Sequence, residues 1–197
     1  MKKNLRPLWA WFLAGLLAIS LVACREDGKG QGSSGAVSQG AVVQSQKART
    51  MAPETTEEDG NELAEGNTAF AFDMYHAMGQ QDDNLIFSPY SISLALAMTY
   101  AGARGETEQQ MAETLYFTLG QDRLHPAFNA LDLDLADRGE GALGADGEGF
   151  RLNIANAIWG QTGYSFLEAF LDTLAENYGA GLRLLDFASD PEACRLT

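Results

Sequence analysis

The spacing of apolar side chains in the last two thirds of the chain predicts a series of helices and short strands. Phe70, Met74 and Met78 recur at intervals of four residues, so they form one stripe along a helix. We expect this amphipathic helix to begin near Glu62 and to end near Gly79. It would bury its apolar stripe against neighbouring elements.

The next apolar segment predicts a short strand followed by a buried helix. Leu85–Phe87 is a strand-like apolar run. Ser88 then fits a helix N-cap and Pro89 the first helical position, where the missing N–H of proline costs nothing. The helix to about Ala101 is so rich in Ala, Leu and Met that we expect it to be buried on most sides. Gly102-Ala-Arg-Gly105 is expected to end it, with a glycine of this run supplying the left-handed cap.

Two more helices follow. Thr107 and Gln110 match a capping box, which predicts a helix whose Met111 and Leu115 lie one turn apart. The helix after it separates apolar from acidic side chains, with Phe128, Leu131 and Leu135 on one side and Asp132 and Asp134 on the other. A glycine-rich acidic loop is expected over Arg138–Gly149.

The last part of the chain alternates between strand and helix patterns. Apolar and polar residues alternate over 150–159, which predicts a strand. The clearest helical stripe runs from Leu167 to Tyr178 and stops at Gly179, and a second strand is predicted over 182–187. A last helix begins either with Asp190 as the cap before Pro191 or with a capping box of Ser189 and Glu192; both readings stay open.

The N-terminus has the pattern of an export signal. Basic residues in the first six positions precede an apolar run over Leu8–Ala23, which at 16 residues is slightly short for a membrane span. Leu21-Val22-Ala23-Cys24 resembles the bacterial lipobox, which implies lipid attachment at Cys24 and a location in the bacterial cell envelope, outside the cytoplasm. The alternative is an ordinary secretion signal with a chance cysteine.

The pattern divides the chain into three parts. Residues 1–23 are predicted to be a lipoprotein signal peptide, and residues 61–197 a folded domain. Residues 24–60 contain almost no large apolar side chains and cannot bury enough surface to offset their ordering entropy. We therefore expect 24–60 to be a disordered tether that lifts the domain away from the membrane.

Composition excludes several classes of partner. The 197 residues contain 13 Lys and Arg against 27 Asp and Glu, for a formal net charge of −14. Such a surface repels phosphate backbones and heparin-like polyanions, so neither a nucleic acid nor heparin is an expected partner. Hydrophobic residues make up 46% of the chain, which is enough for a packed core.

The residues give little support to an enzyme. Ser88 with His76 or His125 as base is one candidate site, but a serine before a proline at a helix start more commonly caps the helix. The two histidines and Cys194 do not lie at metal-ligand spacing, so we expect neither a metal site nor a cofactor. Cys194 is interpreted as a small buried residue.

Six segments, in order, resemble the first half of the serpin family of protease inhibitors. Asn67–Tyr75 resembles the family's first helix, and Asn84-Leu-Ile-Phe-Ser-Pro-Tyr-Ser-Ile-Ser93 resembles its Asn-x-x-x-Ser-Pro-x-Ser-Ile-Ser segment. Gly102–Thr107 is similar to the turn that follows in the family. Ile154–Trp159 and Leu184–Phe187 are similar to the second and first strands of the main sheet, and Asp190–Glu192 is similar to the start of the helix that lies across that sheet.

The resemblance implies an α+β fold made of the N-terminal helices and the first strands of the family's main sheet. Because the sheets are incomplete, the chain would be mostly helical. It also implies an inhibitor of serine or cysteine proteases, whose reactive loop is cleaved and then inserts into the sheet. That loop lies near a serpin's C-terminus, so the 197 residues are expected to be a truncated and inactive form. Asn84, Ser88, Pro89 and Ser91 match the shutter region that supports sheet opening. The alternative function is a non-inhibitory, lipid-anchored binding or structural module.

Overall fold

The computed structural model describes residues 41–79, 84–138, 141, 143–145, 147 and 154–196. The secondary-structure elements in these residues are, in chain order, β1 Val42–Val43, α1 Glu57–Met78, α2 Pro89–Tyr100, α3 Glu106–Leu115, α4 Gln121–Arg138, β2 Ile158–Gln161, α5 Glu168–Tyr178, β3 Leu182–Leu185 and α6 Pro191–Arg195. No helix in this part of the chain has the length and apolar character needed to cross a membrane.

The first two helices begin at side-chain caps. Thr56 accepts a hydrogen bond from the backbone N–H of Asp59, and the Asp59 carboxylate accepts one from the backbone N–H of Thr56, which together make a capping box. Ser88 caps α2, and Pro89 takes its first position as predicted. The stripe of Phe70 and Met74 is buried, which confirms the amphipathic face of α1.

The hydrophobic core lies between α1, α2, α3 and α4. Phe70 and Phe128 are almost completely buried, and Phe117 packs edge-on to Phe128 with 5.7 Å between the ring centres. The Asp59 carboxylate, itself buried, accepts a hydrogen bond of 2.7 Å from Nε of Arg123, which ties the start of α1 to α4.

A three-stranded sheet in the order β1-β3-β2 lies beside the helices. β2 and β3 are parallel, with Ile158 opposite Leu182 and Gln161 opposite Leu185, and α5 forms the connection between them. β1 pairs antiparallel with the other edge of β3. The fold is therefore α+β, mostly helical with a small incomplete sheet, as predicted.

The prediction of a tether up to residue 60 needs correction at its C-terminal end. Residues 41–60 contain β1, the capping box and the first turn of α1. Polar side chains of this segment form hydrogen bonds and ion pairs with α4 and α5, and these contacts replace the apolar burial that the segment lacks. Residues 1–40, with the predicted signal peptide, Cys24 and the first part of the tether, lie outside the described residues.

The turn after α2 differs from the prediction. The cap of α2 is Ala101 in a right-handed conformation, and the positive φ of 62° occurs at Gly105, not at Gly102. Gly105 is also the N-cap of α3, which has no side-chain cap, so the predicted capping box at Thr107 and Gln110 is wrong. Thr107 lies inside the helix because α3 already begins at Glu106.

Three strand predictions also change. Leu85–Phe87 is not a strand, because no described strand pairs with it, and Ile86 is 94% exposed. The strand expected over 150–159 is observed only as Ile158–Gln161, the four residues that lie opposite β3. Residues 150–153 lie outside the described part. The strand predicted over 182–187 is shorter and ends at Leu185.

The last two helices agree with the sequence pattern. α5 ends at Tyr178, and Gly179 caps it in the left-handed conformation with φ of 58°. Its N-cap, Leu167, is 78% exposed and does not contribute to the buried stripe. For α6 the structure favours the first of the two readings, because the Asp190 side chain accepts a hydrogen bond from the N–H of Ala193.

Candidate functional site

The candidate site from the sequence, Asn84–Ser91, is the entry segment and first turn of α2. The Ser88 hydroxyl oxygen accepts from the backbone N–H of Ser91 at 3.3 Å and donates to the Ser91 hydroxyl at 3.0 Å. Pro89 follows at the first helical position, and Asn84 is exposed. The structure therefore brings Ser88, Pro89 and Ser91 together in one cap and leaves Asn84 apart from it.

A second hydroxyl of the same motif links α2 to α1. Ser93 is fully buried, and its hydroxyl donates a short hydrogen bond to the side-chain oxygen of Asn67. The bond satisfies a polar group that would otherwise be left unpaired in the core. Ser93 and Asn67 were not predicted as site residues, although both belong to the segments that resemble serpins.

An apolar groove opens between α1 and the start of α2. Phe72 and Tyr75 contribute exposed rings from α1, and Phe87 and Tyr90 line the other side. Burial raises the pKa of the Tyr90 phenol, so its hydroxyl is un-ionised. An exposed apolar strip beside a capped helix is a surface suited to packing against further polypeptide.

His125 occupies the core next to this site. Its Nδ1 lies 2.6 Å from the hydroxyl of Tyr178, so the pair joins α4 to α5. Burial, with a smaller contribution from the nearby charge of Arg104, lowers the pKa of His125 to about 4. The ring is therefore neutral at physiological pH. Its burial was missed from the sequence, where His125 was weighed only as a base or a metal ligand.

The geometry does not assemble the catalytic arrangement that was considered. The Ser88 hydroxyl is bonded to Ser91 and the His125 ring to Tyr178, while His76 is exposed on α1. Within the described ranges no three or more His, Cys, Asp or Glu side chains are grouped so as to hold a metal ion. Cys194 is half-buried, so its predicted full burial is corrected.

Comparison with known families agrees with the resemblance carried by the Ser88–Ser93 segment and by the strands β2 and β3. Residues 65–196 match the family described as serpin (serine protease inhibitor). The chain therefore belongs to the serpin family.

Similar proteins show how much of a serpin the chain represents. It is 37% identical to the horse leukocyte elastase inhibitor over 136 residues, which are 68% of this chain and 34% of that protein. It is 34% identical to a serpin-like protein of Methanosarcina mazei over 171 residues, which are 83% of this chain and 38% of that protein. The chain thus spans about a third of the length of the curated relatives that it matches.

The two curated matches differ in how much of this chain they include. Because 83% of the chain corresponds to about 164 residues, the Methanosarcina match necessarily includes residues 41–60. The family model, in contrast, begins at residue 65. The Methanosarcina match therefore extends towards the N-terminus beyond the family model, over a range that includes residues 41–60.

Solved structures give the same fold. The human glycosylated kallistatin structure superposes with a TM-score of 0.54 at 28% identity, covering 70% of this chain and 36% of that one. A structure of cleaved kallistatin complexed with heparin gives a TM-score of 0.51 at 24% identity, with 70% and 39% covered, and shows likeness of fold alone.

Proposed function

We propose that this chain is the N-terminal part of a serpin that inhibits serine or cysteine proteases. The observation that carries the proposal is the family match over 65–196, supported by the Ser88 cap and the Ser93–Asn67 bond in the segment that resembles the shutter. The relatives it matches include inhibitors of leukocyte elastase, so elastase-like serine proteases are the first targets to test.

We further propose that the 197-residue polypeptide does not inhibit by itself. The described residues supply helices and two parallel strands, β2 and β3, of the main sheet. A serpin traps its protease by inserting a cleaved loop into that sheet, and the chain corresponds to only 34% of an inhibitory relative. The segments that open and accept the loop belong to the remainder.

Attachment to a membrane is the third part of the proposal. Cys24 at the end of Leu21-Val22-Ala23 would carry the lipid, and the protein would be held in the bacterial envelope outside the cytoplasm. Phase partition in a detergent that separates on warming tests this. The native protein should enter the detergent phase, and a Cys24→Ser variant expressed in the same cells should stay in the aqueous phase.

Progress curves of peptide hydrolysis test the inhibitory proposal. The native protein, purified from its source cells, should slow an elastase-like serine protease irreversibly over minutes, whereas the recombinant 197-residue chain should leave the rate unchanged. The proposal would be wrong if the native protein were simply degraded by every serine and cysteine protease in the panel. Inhibition by the recombinant chain would overturn its second part.

A further inference from the structure

Residues 41–50, which we call the strap, lie along the outer edge of the sheet. Val42 pairs with Arg183 and Val43 with Leu182, both antiparallel, and the N–H of Leu184 donates to the Ala41 carbonyl at 2.7 Å. This edge of β3 would otherwise present unpaired backbone groups to any neighbouring strand. The strap therefore acts as an added edge strand, the arrangement by which extended peptides bind sheets.

After the strand, the strap crosses an acidic face built by α4 and α5. Nζ of Lys47 lies 3.1 Å from Asp172 and 3.0 Å from Glu176, two carboxylates one turn apart on α5. The guanidinium of Arg49 lies 2.6 Å from Asp132 on α4. A hydrogen bond from the Ser45 hydroxyl, together with the ion pair with Lys47, holds the pKa of Asp172 below its usual value.

A fully buried amide connects the strap to both helices. Asn129 is completely buried; its Nδ2 donates to the Thr50 carbonyl at 2.7 Å, and its Oδ1 accepts from Nε of Arg49 at 2.8 Å. The carbonyl of Glu176 accepts from the Thr50 N–H at 2.8 Å. Without the strap, Asn129 would lose its bonds to Thr50 and Arg49 and would keep only the longer bond from its Nδ2 to the Glu176 carbonyl at 3.4 Å.

The shape of the receiving surface also fits the strap closely. A Cβ atom at Gly181 would come within 2.9 Å of the Val42 side chain and 3.1 Å of the Gln44 side chain, so only glycine leaves room for the strap there. One ten-residue segment therefore makes backbone pairs with β3, ion pairs through Lys47 and Arg49, hydrogen bonds with the buried amide of Asn129, and close contact with Gly181.

We propose that the outer edge of β3, together with Asn129, Asp132, Asp172 and Glu176, is a binding site for an extended basic segment. The strap occupies the site within the same molecule and closes the sheet edge. A molecule whose own strap is displaced can bind the strap of a second copy at this site, because that strap has the same sequence and makes the same contacts. The site's ligand is therefore a strand with two β-branched residues followed by basic side chains at alternate positions.

A peptide of residues 41–50, labelled with a fluorophore, tests the site in the full chain. The double variant Lys47→Glu, Arg49→Glu places like charges against Asp172, Glu176 and Asp132, so its own strap should leave the site. The double variant Arg138→Glu, Arg195→Glu is the matched control, with the same change in net charge at two exposed side chains whose ion pairs lie within their own helices. Anisotropy should show at least tenfold tighter binding of the peptide to the strap variant than to the control.

Hydrogen exchange reports independently whether the strap has been released. The Leu184 amide is bonded to Ala41, so its exchange should accelerate at least tenfold in the strap variant and remain slow in the control. A peptide with glutamate at the positions of Lys47 and Arg49 should bind neither protein. If the double variant fails to fold, Lys47→Glu alone, at a half-exposed side chain, should give the same effects at smaller size.

Three results would overturn the proposal. The first is release of the strap, seen by exchange, without binding of the peptide. The second is equal binding of the peptide to variant and control, which would mean general attraction to an acidic protein. The third is an unchanged Leu184 exchange rate in a folded strap variant, which would mean that the acidic face does not hold the strap.

Discussion

The hydroxyl of Tyr178 lies 2.6 Å from Nδ1 of His125, and this contact joins α4 to α5 inside the core. Each group is held in its neutral form by burial, which lowers the pKa of the histidine and raises that of the tyrosine. The Nε2 atom of His125 is buried and has no hydrogen-bond partner in the part of the chain that the structure describes. Protonation of the ring is thus unfavourable in the folded state.

Stability should therefore fall in mildly acidic solution. His125 has a folded pKa of about 4 against an ordinary value of 6.5, so the unfolded chain takes up the proton first as pH falls. The contribution of His125 to the free energy of unfolding is fully present above pH 6.5 and is lost progressively towards pH 4. The slope is at most about 1.4 kcal/mol per pH unit. Denaturant unfolding measured from pH 7.5 to 5 would check this.

Two histidine variants separate this effect from that of other groups. A His125→Gln variant lacks the buried imidazole, so it should lose most of the pH dependence between pH 6.5 and 5. His76, which is exposed on α1, serves as the control, and His76→Gln should keep the dependence of the parent. The explanation is wrong if both variants behave alike.

Two glycines of α1 should respond in opposite directions to alanine. A Cβ at Gly66 would lie 2.3 Å from the Tyr116 carbonyl oxygen, whereas a Cβ at Gly60 would meet nothing within 4 Å. Gly66→Ala should destabilise the protein by about 1–3 kcal/mol through overpacking. Gly60→Ala should stabilise it by up to about 1 kcal/mol, since alanine favours the helix. Thermal melts of the two variants test this prediction. Equal shifts in melting temperature would contradict the close approach of α1 to Tyr116.

Loss of the Ser88 cap should weaken the start of α2. Ser88→Ala removes the acceptor for the Ser91 N–H and should cost about 1 kcal/mol, while Ser88→Asp retains an acceptor and should cost less. Chemical denaturation of the two variants provides the comparison. If Ser88 were a nucleophile instead, a serine-directed fluorophosphonate would label the parent chain, and we expect no labelling.

The chain should not bind heparin. The helix α4 carries Asp132, Asp134 and Asp137. Arg49 forms an ion pair with Asp132, and Arg138 forms one with Asp134. A polyanion would meet net negative charge on this helix. The protein should pass through a heparin column at about 0.15 M salt, an ionic strength at which surface charges act over about 8 Å. Retention that is reversed by salt would contradict this.

The helices could be predicted from sequence because their signals are local. The stripe of Phe70 and Met74, the Ser88-Pro89 start and Gly179 at the end of α5 each act within a turn or two of the chain. The order of the motifs gave the family, and the family match confirms it. At α3 the pattern predicted Thr107 as the N-cap, whereas the N-cap is Gly105, two residues earlier, and it has no side-chain cap to mark it.

The contacts that could not be predicted from the sequence are polar and join residues far apart along the chain. Arg49 lies 83 positions from Asp132, and a segment with few apolar residues was expected to be disordered, whereas its ion pairs order it. The buried pair of His125 and Tyr178 is similarly distant in sequence. The strand limits also depend on partners, because β2 is paired only where β3 lies opposite.

The most direct test of the proposed inhibitory function uses the native protein in its source membranes. Membranes are incubated with an elastase-like serine protease, boiled in SDS, and blotted with an antibody raised against residues 25–40. We predict a new band, heavier than the native protein by about the mass of the protease, that survives boiling and is absent with a protease whose serine has been blocked. Cleaved protein without a stable complex, across serine and cysteine proteases, would contradict the account.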